Sequence, residues 1–157
     1  SSLDELVQAI GEIGLITGEP IAARHLTARI QAKRRAVAAR VAGTNIVTVF
    51  VDDGDLSTIS THSLLGDLIR EARGRSVAGA SPEQGPFPAQ RLRRLNPDVY
   101  VGTASSGLTL KGLRARPQTR SLRAIRNGRF AVLPSDATVA GPGAGTALAE
   151  IAQILHP

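Results

Sequence analysis

The stretch "NIVTVFV", residues 45–51, constrains the fold more than any other part of this chain. Five of its seven residues are β-branched, and polar and apolar residues do not alternate as they would on a half-wet strand. Such a run fits a strand buried on both faces, the environment of a parallel sheet, and a sheet of that kind needs helices on each side to keep water away. The flanking sequence has to supply those helices.

Upstream it does. Leu3, Leu6, Val7, Ile10 and Ile13 recur at helical spacing, and Ser2 with Glu5 three residues later forms a capping box. Gly18 stops this helix and Pro20 suits the first turn of the next. Ile21, Leu26, Ile30, Val37 and Val41 then make one apolar stripe, with Arg24, Arg29, Lys33, Arg34 and Arg40 elsewhere around the helix. The spacing predicts a helix of about 22 residues, roughly 33 Å long, ending at Gly43.

Downstream, "DDGDLSTISTHS" (52–63) is a polar loop, and Ser63 caps a helix "LLGDLIREARG" that closes at Gly74. "SVAG" (76–79) is a short second strand, and "SPEQGPFP" (81–88), with three prolines and a glycine, is loop. Residues 88–95 make two helical turns with Leu92 and Leu95 inward and Arg91, Arg93 and Arg94 towards solvent. Pro97 then ends the helix and "DVYVGT" enters the sheet. A loop "ASSGLTLKG", a short helix near "TRSLRAIRNG", a strand "RFAVLP", a loop "SDATVAGPGAG" and a last helix "TALAEIAQILHP" complete the chain. Strands separated by helices imply an α/β fold. The expectation is a mainly parallel sheet with helices on both faces, a Rossmann-like lobe, preceded by a long connecting helix.

Charge raises a different possibility. The chain of 157 residues carries a net charge of +6, and ten basic residues face one acid, Asp98, between positions 91 and 129. Clustered cations of this kind bind nucleic-acid phosphates. Against that reading stand one Tyr, three Phe and no Trp, which leave little for bases to stack on, and no nucleic-acid-binding motif appears. Seventeen of the nineteen basic residues are Arg, so compositional bias is an alternative source of the excess. The absence of cysteine excludes disulfides, thiolate metal sites and cysteine nucleophiles. No apolar run approaches the length of a membrane span, no signal peptide is visible, and the opening "SSLDELVQ" without Met suggests a trimmed or mature N-terminus.

Three stretches invite chemistry. Asp53 and Asp55 lie just past a strand with Ser57 two residues on, a DxDx[ST] pattern that can serve phosphoryl transfer. Its usual completion, a downstream Lys and a second acidic cluster, is represented only by Lys111 and a solitary Asp136, so a phosphatase-like enzyme remains the alternative to an acidic turn. "GPGAGT" (141–146) opens a helix but lacks the Lys of a P-loop and the later acid of a dinucleotide site. His25, His62 and His156 share no metal-ligand spacing, and only His62 falls in a strand-end loop. His62 beside Ser63 is adjacency in sequence, not a triad.

The order of segments resembles the ABC-transporter solute-binding proteins of the iron-siderophore, haem and vitamin B12 class. "IGEIGLITGEPIAARHL" is similar to the start of that family's interlobe region, and "SLLGDLIREARGRSVAG" to the helix and short strand after the first strand of its second lobe. "RLRRLNPDVYVG" is similar to its helix, Asn-Pro-Asp and strand, and "SLRAIRNGRFAVLPSD" with "ALAEIAQILHP" to its final segments. The resemblance implies an interlobe helical connector over residues 1–43 and a C-terminal α/β lobe over 44–157. It implies a non-enzymatic role without a resident cofactor or metal site: capture of a metal chelate of ferric-siderophore, haem or cobalamin type between two lobes that close on it. The intact protein would be extracytoplasmic, periplasmic or lipid-anchored at the cell surface, and would pass its ligand to an ABC permease.

In open α/β sheets ligands sit at strand-end loops. The resemblance and that rule together nominate Asp55, Ser57, Thr58, His62, Phe87, Ser105, Ser106, Asp136 and Thr138 as ligand-binding residues. Phe87 falls where relatives often carry an aromatic against the ligand; its alternative role is a core aromatic held between two prolines. Relatives commonly place a permease-docking Glu seven residues before the Pro of Asn-Pro-Asp, and here that position is Gln90. Thr119 stands where an aromatic is frequent, and Val139 near where some relatives carry a cleft arginine. Without a partner lobe, the apolar stripes within residues 3–42 are expected to promote self-association.

Overall fold

A computed structural model of the chain describes residues 1–79 and 85–157. Its first two elements are α1 (Leu3–Thr17) and α2 (Pro20–Val41). Ser2 Oγ accepts the Glu5 N–H at 3.2 Å to start α1, and Gly18, at φ 76°, ends it in the left-handed conformation. Pro20 opens α2, which runs 22 residues as its spacing predicts and stops two residues short of Gly43.

The apolar stripe of α2 differs from expectation at its start. Ile30, Val37 and Val41 are buried, but Ile21 is 65% exposed and Ala23 takes the inward position. The reason is close helix contact: a Cβ added at Gly14 of α1 would lie 2.3 Å from the Ala23 Cβ, so only two small residues fit where the helices meet. Ile21, two residues earlier, is rotated off that contact. Arg34, read from sequence as part of the solvent face, instead joins three helices. Its guanidinium bonds Asp4 of α1 at 2.6 Å and, through Nε and Nη2, Glu71 of α3 (Leu64–Glu71) at 2.8 and 2.5 Å. The Arg34 bond holds the Asp4 carboxyl below its usual range.

The remaining elements are β1 (Val47–Asp52), β2 (Gly74–Ser76), α4 (Ala89–Leu95), β3 (Val99–Gly102), α5 (Leu110–Ala115), α6 (Arg123–Arg126), β4 (Phe130–Val132) and α7 (Ala144–Leu155), with a 3-10 turn at Ser135–Ala137. The strands pair in the order β2-β1-β3-β4, all parallel, with Val49 opposite Val99 and Asp52 opposite Gly102. The family of folds is therefore the α/β one expected, with a four-stranded parallel sheet.

Strand alternation divides the core in two. Val49, Val51, Val99 and Val101 face α1, α2, α3 and α7. Phe50 and Tyr100 face the other way, against Phe87 and against Leu92, Leu113, Leu122 and Ile125 from the α4, α5 and α6 region. Asp98 fixes the start of β3. Its carboxylate accepts the Thr48 N–H at 3.0 Å, the Thr48 hydroxyl at 2.9 Å and the Arg123 guanidinium at 2.8 Å. Burial opposes its charge, yet the Thr48 donors and then Arg123 outweigh burial and hold its carboxyl below the ordinary value.

Several boundaries depart from the sequence expectation. The helix expected to close at Gly74 ends at Glu71, and Gly74 opens β2, so the second strand starts before "SVAG" rather than within it. Arg73, at φ 57°, takes the left-handed turn that a closing glycine would have taken. Gly74 is needed for packing: a Cβ there would lie 2.6 Å from Ile69 Cγ2 and 2.7 Å from Leu155 Cδ1. The expected loop 104–112 contains the start of α5, capped by Thr109 Oγ1, which accepts the Gly112 N–H at 3.0 Å. Leu95, expected inward, is 41% exposed because the short helix buries only Leu92. Of the proline-rich loop, residues 80–84 lie outside the described residues.

Gly74→Ala should lower stability by about 1–3 kcal/mol, the usual cost of an extra methyl in a filled core, against the few tenths expected at an open glycine. Urea denaturation with an unchanged m-value and a reduced midpoint checks it.

Candidate functional site

Among parallel strands, the crevice opens where neighbouring strands send their connections to opposite faces. That place is the carboxyl end of β1 and β3. The chain leaving β1 leads to α3, whose Leu64, Leu65, Leu68 and Ile69 sit in the valine-face core, while the chain leaving β3 leads to α5, whose Leu113 sits in the aromatic one. The loops that follow β1, β3 and β4 form a rim around it.

The β1 loop owes its shape to Asp52, which the sequence reading passed over in favour of Asp53 and Asp55. Asp52 is fully buried; its Oδ1 accepts the Gly54 N–H at 2.8 Å and the Leu56 N–H at 3.1 Å, and its Oδ2 accepts the Tyr100 hydroxyl at 2.5 Å. Gly54, Asp55 and Leu56 have φ of 119°, 50° and 63°, three positive values in succession. Non-glycine residues resist that conformation, and successive residues of this kind point their N–H groups to one side, where an anion can sit. Here the anion is the chain's own carboxylate. Burial, then the bond to Asp52, pushes the Tyr100 phenol far above its usual range and keeps it a donor. The signal was present in sequence: alternation from Phe50 puts residue 52 on the aromatic face.

The turn projects the next groups into solvent. Asp53 is exposed, and its Oδ1 accepts the Thr103 hydroxyl and, at 3.3 Å, the Ser105 hydroxyl. This carboxylate and two hydroxyls bridge the crevice from residues 50 or more positions apart, and Thr103 was not anticipated. Asp55 is 94% exposed and lies 3.9 Å from the Arg116 guanidinium across a groove of about 470 Å³ lined also by Leu56, Pro86, Gln118 and Thr119. Arg116 and Gln118 were likewise not anticipated, since nothing local marks them.

The other nominated residues are distributed around this centre. Ser57 is exposed in the β1 loop, and the neighbouring Thr58 Oγ1 is buried without a hydrogen-bond partner among the described residues. His62 is exposed at the far end of that loop, where its carbonyl accepts the Ser1 amino group at 2.9 Å. Ser106 turns back to donate to the Thr103 carbonyl at 2.7 Å. Asp136 is exposed on the 3-10 turn after β4, with its carboxylate against Gly143 at the start of α7, and the Thr138 hydroxyl donates to the Ser135 carbonyl at 3.0 Å. Phe87 is placed in the aromatic core at 3% exposure, its ring 5.3 Å from that of Phe50 and beneath the Arg91 guanidinium at 5.2 Å. Gln90 is exposed on α4, away from the crevice loops in sequence and on the aromatic-core side of the sheet.

The DxDx[ST] pattern does not gather a cation site. Among the described residues no three His, Asp or Glu side chains come together in a way that could hold a metal ion. No helix among them is long and apolar enough to cross a membrane.

Residues 1–137 match the sequence profile of a family described as periplasmic binding protein. No curated protein sequence matches the chain. Similar solved structures include an ABC transporter substrate-binding protein from Listeria monocytogenes EGD-e, 20% identical over 99% of this chain and 65% of that one, with a TM-score of 0.82. The periplasmic haem-binding protein RhuT from Roseiflexus sp. RS-1 is 24% identical over 99% and 63%, with a TM-score of 0.82. Helicobacter pylori CeuE with Ni(II) bound is 17% identical over 99% and 52%, with a TM-score of 0.87. At these identities the likeness establishes the fold, and the chain spans between half and two thirds of those chains' length.

Asp52→Ala should destabilise the protein by about 3 kcal/mol or more, because it strands a buried phenol and two loop N–H groups, whereas Tyr100→Phe, which unpairs only Oδ2 and keeps both loop bonds, should cost about 2 kcal/mol. Denaturant titration of both variants gives the comparison. Equal effects would mean that the turn does not depend on the carboxylate.

Proposed function

The chain belongs to the periplasmic binding protein family, and from that premise we propose that it is the C-terminal lobe, with its interlobe connector, of an extracytoplasmic solute-binding protein that captures a metal chelate for ABC import. The observation that carries this reading is the open polar rim at the β1–β3 crevice, where Asp53, Asp55, Ser57, His62, Ser105, Asp136 and Thr138 are all exposed. Clefts that hold small ligands are usually closed over them, and a second lobe closing on this rim would complete one. Residues 1–43 form the connector in this reading and residues 44–157 the lobe. The haem-binding description of RhuT and the Ni(II) bound to CeuE favour a metal chelate of haem, ferric-siderophore or cobalamin type.

In this proposal Asp55, Ser57, His62, Ser105, Asp136 and Thr138 furnish the ligand-facing wall, joined by Arg116 and Gln118, with Thr58 and Ser106 behind it. Phe87 supports that wall from below, since Leu56 O accepts the Phe87 N–H at 2.9 Å. Gln90 is the contact to a permease, through hydrogen bonds rather than an ion pair. The role is binding and release, without turnover.

If an intact clamp bound at about 1 nM and each lobe supplied half of the free energy, this chain would bind with a Kd of some tens of micromolar. Haem, a ferric siderophore and cobalamin are coloured, so absorbance titration reads binding directly. Ser105→Tyr should weaken it at least tenfold by filling the crevice. Nanomolar affinity, no affinity for any of the three, or phosphoester hydrolysis lost on Asp53→Asn would each refute the half-clamp.

The connector gives a second measurable consequence. Ile13, Leu15, Ile16 and Ile21 are 58%, 72%, 85% and 65% exposed where α1 turns into α2. Light scattering should show concentration-dependent self-association that Leu15→Glu with Ile16→Glu abolishes.

A further inference from the structure

The charge of this protein is segregated. Residues 91–129 hold ten basic residues and one acid, a net +9, and the rest of the chain holds nine basic and twelve acidic residues, a net −3. A general bias towards Arg would act along the whole chain, so bias alone does not produce this separation. The fold gathers part of the basic segment at one place, the junction of the end of α4 with the start of α6. There Asn96, left-handed at φ 44°, accepts the Arg123 N–H through Oδ1 at 2.8 Å and the Arg123 guanidinium through its carbonyl at 3.1 Å.

Four arginines flank this junction. Arg93 and Arg94 occupy the last turn of α4, and Arg120 and Arg126 lie within one turn of Arg123 on either side. All four are exposed, and none of their guanidinium groups has a hydrogen-bond or ion-pair partner among the described residues. The one acid of the segment is spent internally: Asp98 is occupied by Thr48 and Arg123. Leu95, exposed among these arginines, is the apolar element of the surface.

We propose that the α4–α6 surface, through Arg93, Arg94, Arg120 and Arg126, docks this protein on an anionic phospholipid membrane face. A lipid surface demands density of positive charge and little shape, which is what the junction offers. The grooves at the crevice, along α1 and α2 and beside β4 and α7 include none of the four arginines. A specific protein interface needs an apolar core with aromatic anchors, and Leu95 alone does not make one. With seven and four residues, α4 and α6 are too short to follow a nucleic-acid groove, and the patch presents no aromatic ring for bases to stack on. Guanidinium forks match phosphate oxygens, and each Arg near an anionic leaflet strengthens binding by about fivefold.

This inference does not depend on the identity of any ligand in the crevice. Vesicles of phosphatidylcholine, alone or mixed with phosphatidylglycerol, test it by co-sedimentation. The protein should bind the mixed vesicles only, less strongly as salt rises. Arg93→Gln with Arg94→Gln should weaken binding by about 30-fold, and Arg120→Gln with Arg126→Gln similarly, while Arg29→Gln with Arg35→Gln on the opposite side of the sheet leaves it unchanged. Thermal melts matching the parent show that the variants fold. Binding to neither vesicle at low salt, equal loss in the α2 control, or tighter binding to duplex DNA or to polyglutamate than to the mixed vesicles would each overturn the proposal.

Discussion

The rim of the crevice depends on one buried carboxylate. Asp52 ends β1 inside the protein, where a carboxyl group is tolerated only if its oxygens are hydrogen-bonded. Two loop N–H groups and the Tyr100 hydroxyl engage them, and the same bonds hold Gly54, Asp55 and Leu56 in a left-handed turn that side chains otherwise avoid. Because Tyr100 also packs in tilted contact with Phe50 and Phe130, the turn is coupled to the aromatic core beneath it. The exposed groups that follow, Asp53 and Asp55, are therefore displayed from a rigid support rather than from a slack loop.

The crevice is a consequence of how the sheet is covered. A central strand apolar on both faces requires helices on both faces, and covering both faces forces the connections after β1 and β3 apart. The space left between them is bridged by Asp53, Thr103 and Ser105. The α1–α2 pair is attached by different means. Asp67 Oδ2 accepts the Leu3 N–H at 2.7 Å and Arg34 holds Asp4 and Glu71, so polar contacts tie α1 to α3 while Leu3 of α1 and Ile30, Val37 and Val41 of α2 are buried in the core. The apolar tip of the helical pair remains outside that packing.

Much of the architecture was legible because it follows from local rules. Gly18, Pro20, Ser2 and Ser63 mark helix ends by backbone geometry and capping, which need no distant partner. The misreadings share a cause. Gly74 looks like a helix stop in sequence, but its missing Cβ makes room for Ile69 and Leu155, the latter 81 positions away. Ile21 fits the helical stripe, but the Gly14–Ala23 contact decides which side of that turn is inside. Of the nominated residues, Asp55, Ser57, His62 and Ser105 are exposed, as residues in strand-end loops tend to be, while the Thr58 hydroxyl is buried; the burial of Phe87 follows from its contacts with Phe50 and Arg91, which local pattern does not reveal.

By itself the sequence determined the class of fold and the order of its elements, since β-branched runs, helical periodicity and Pro or Gly punctuation act over a few residues. Tertiary structure alone decided which polar groups meet. Asp52 finds Tyr100, Asp53 finds Thr103 and Ser105, and Arg34 finds Asp4 and Glu71 across 30 to 52 positions of chain. Such partners are chosen by how sheet and helices pack in space, and a one-dimensional pattern of residue types carries no record of that distance.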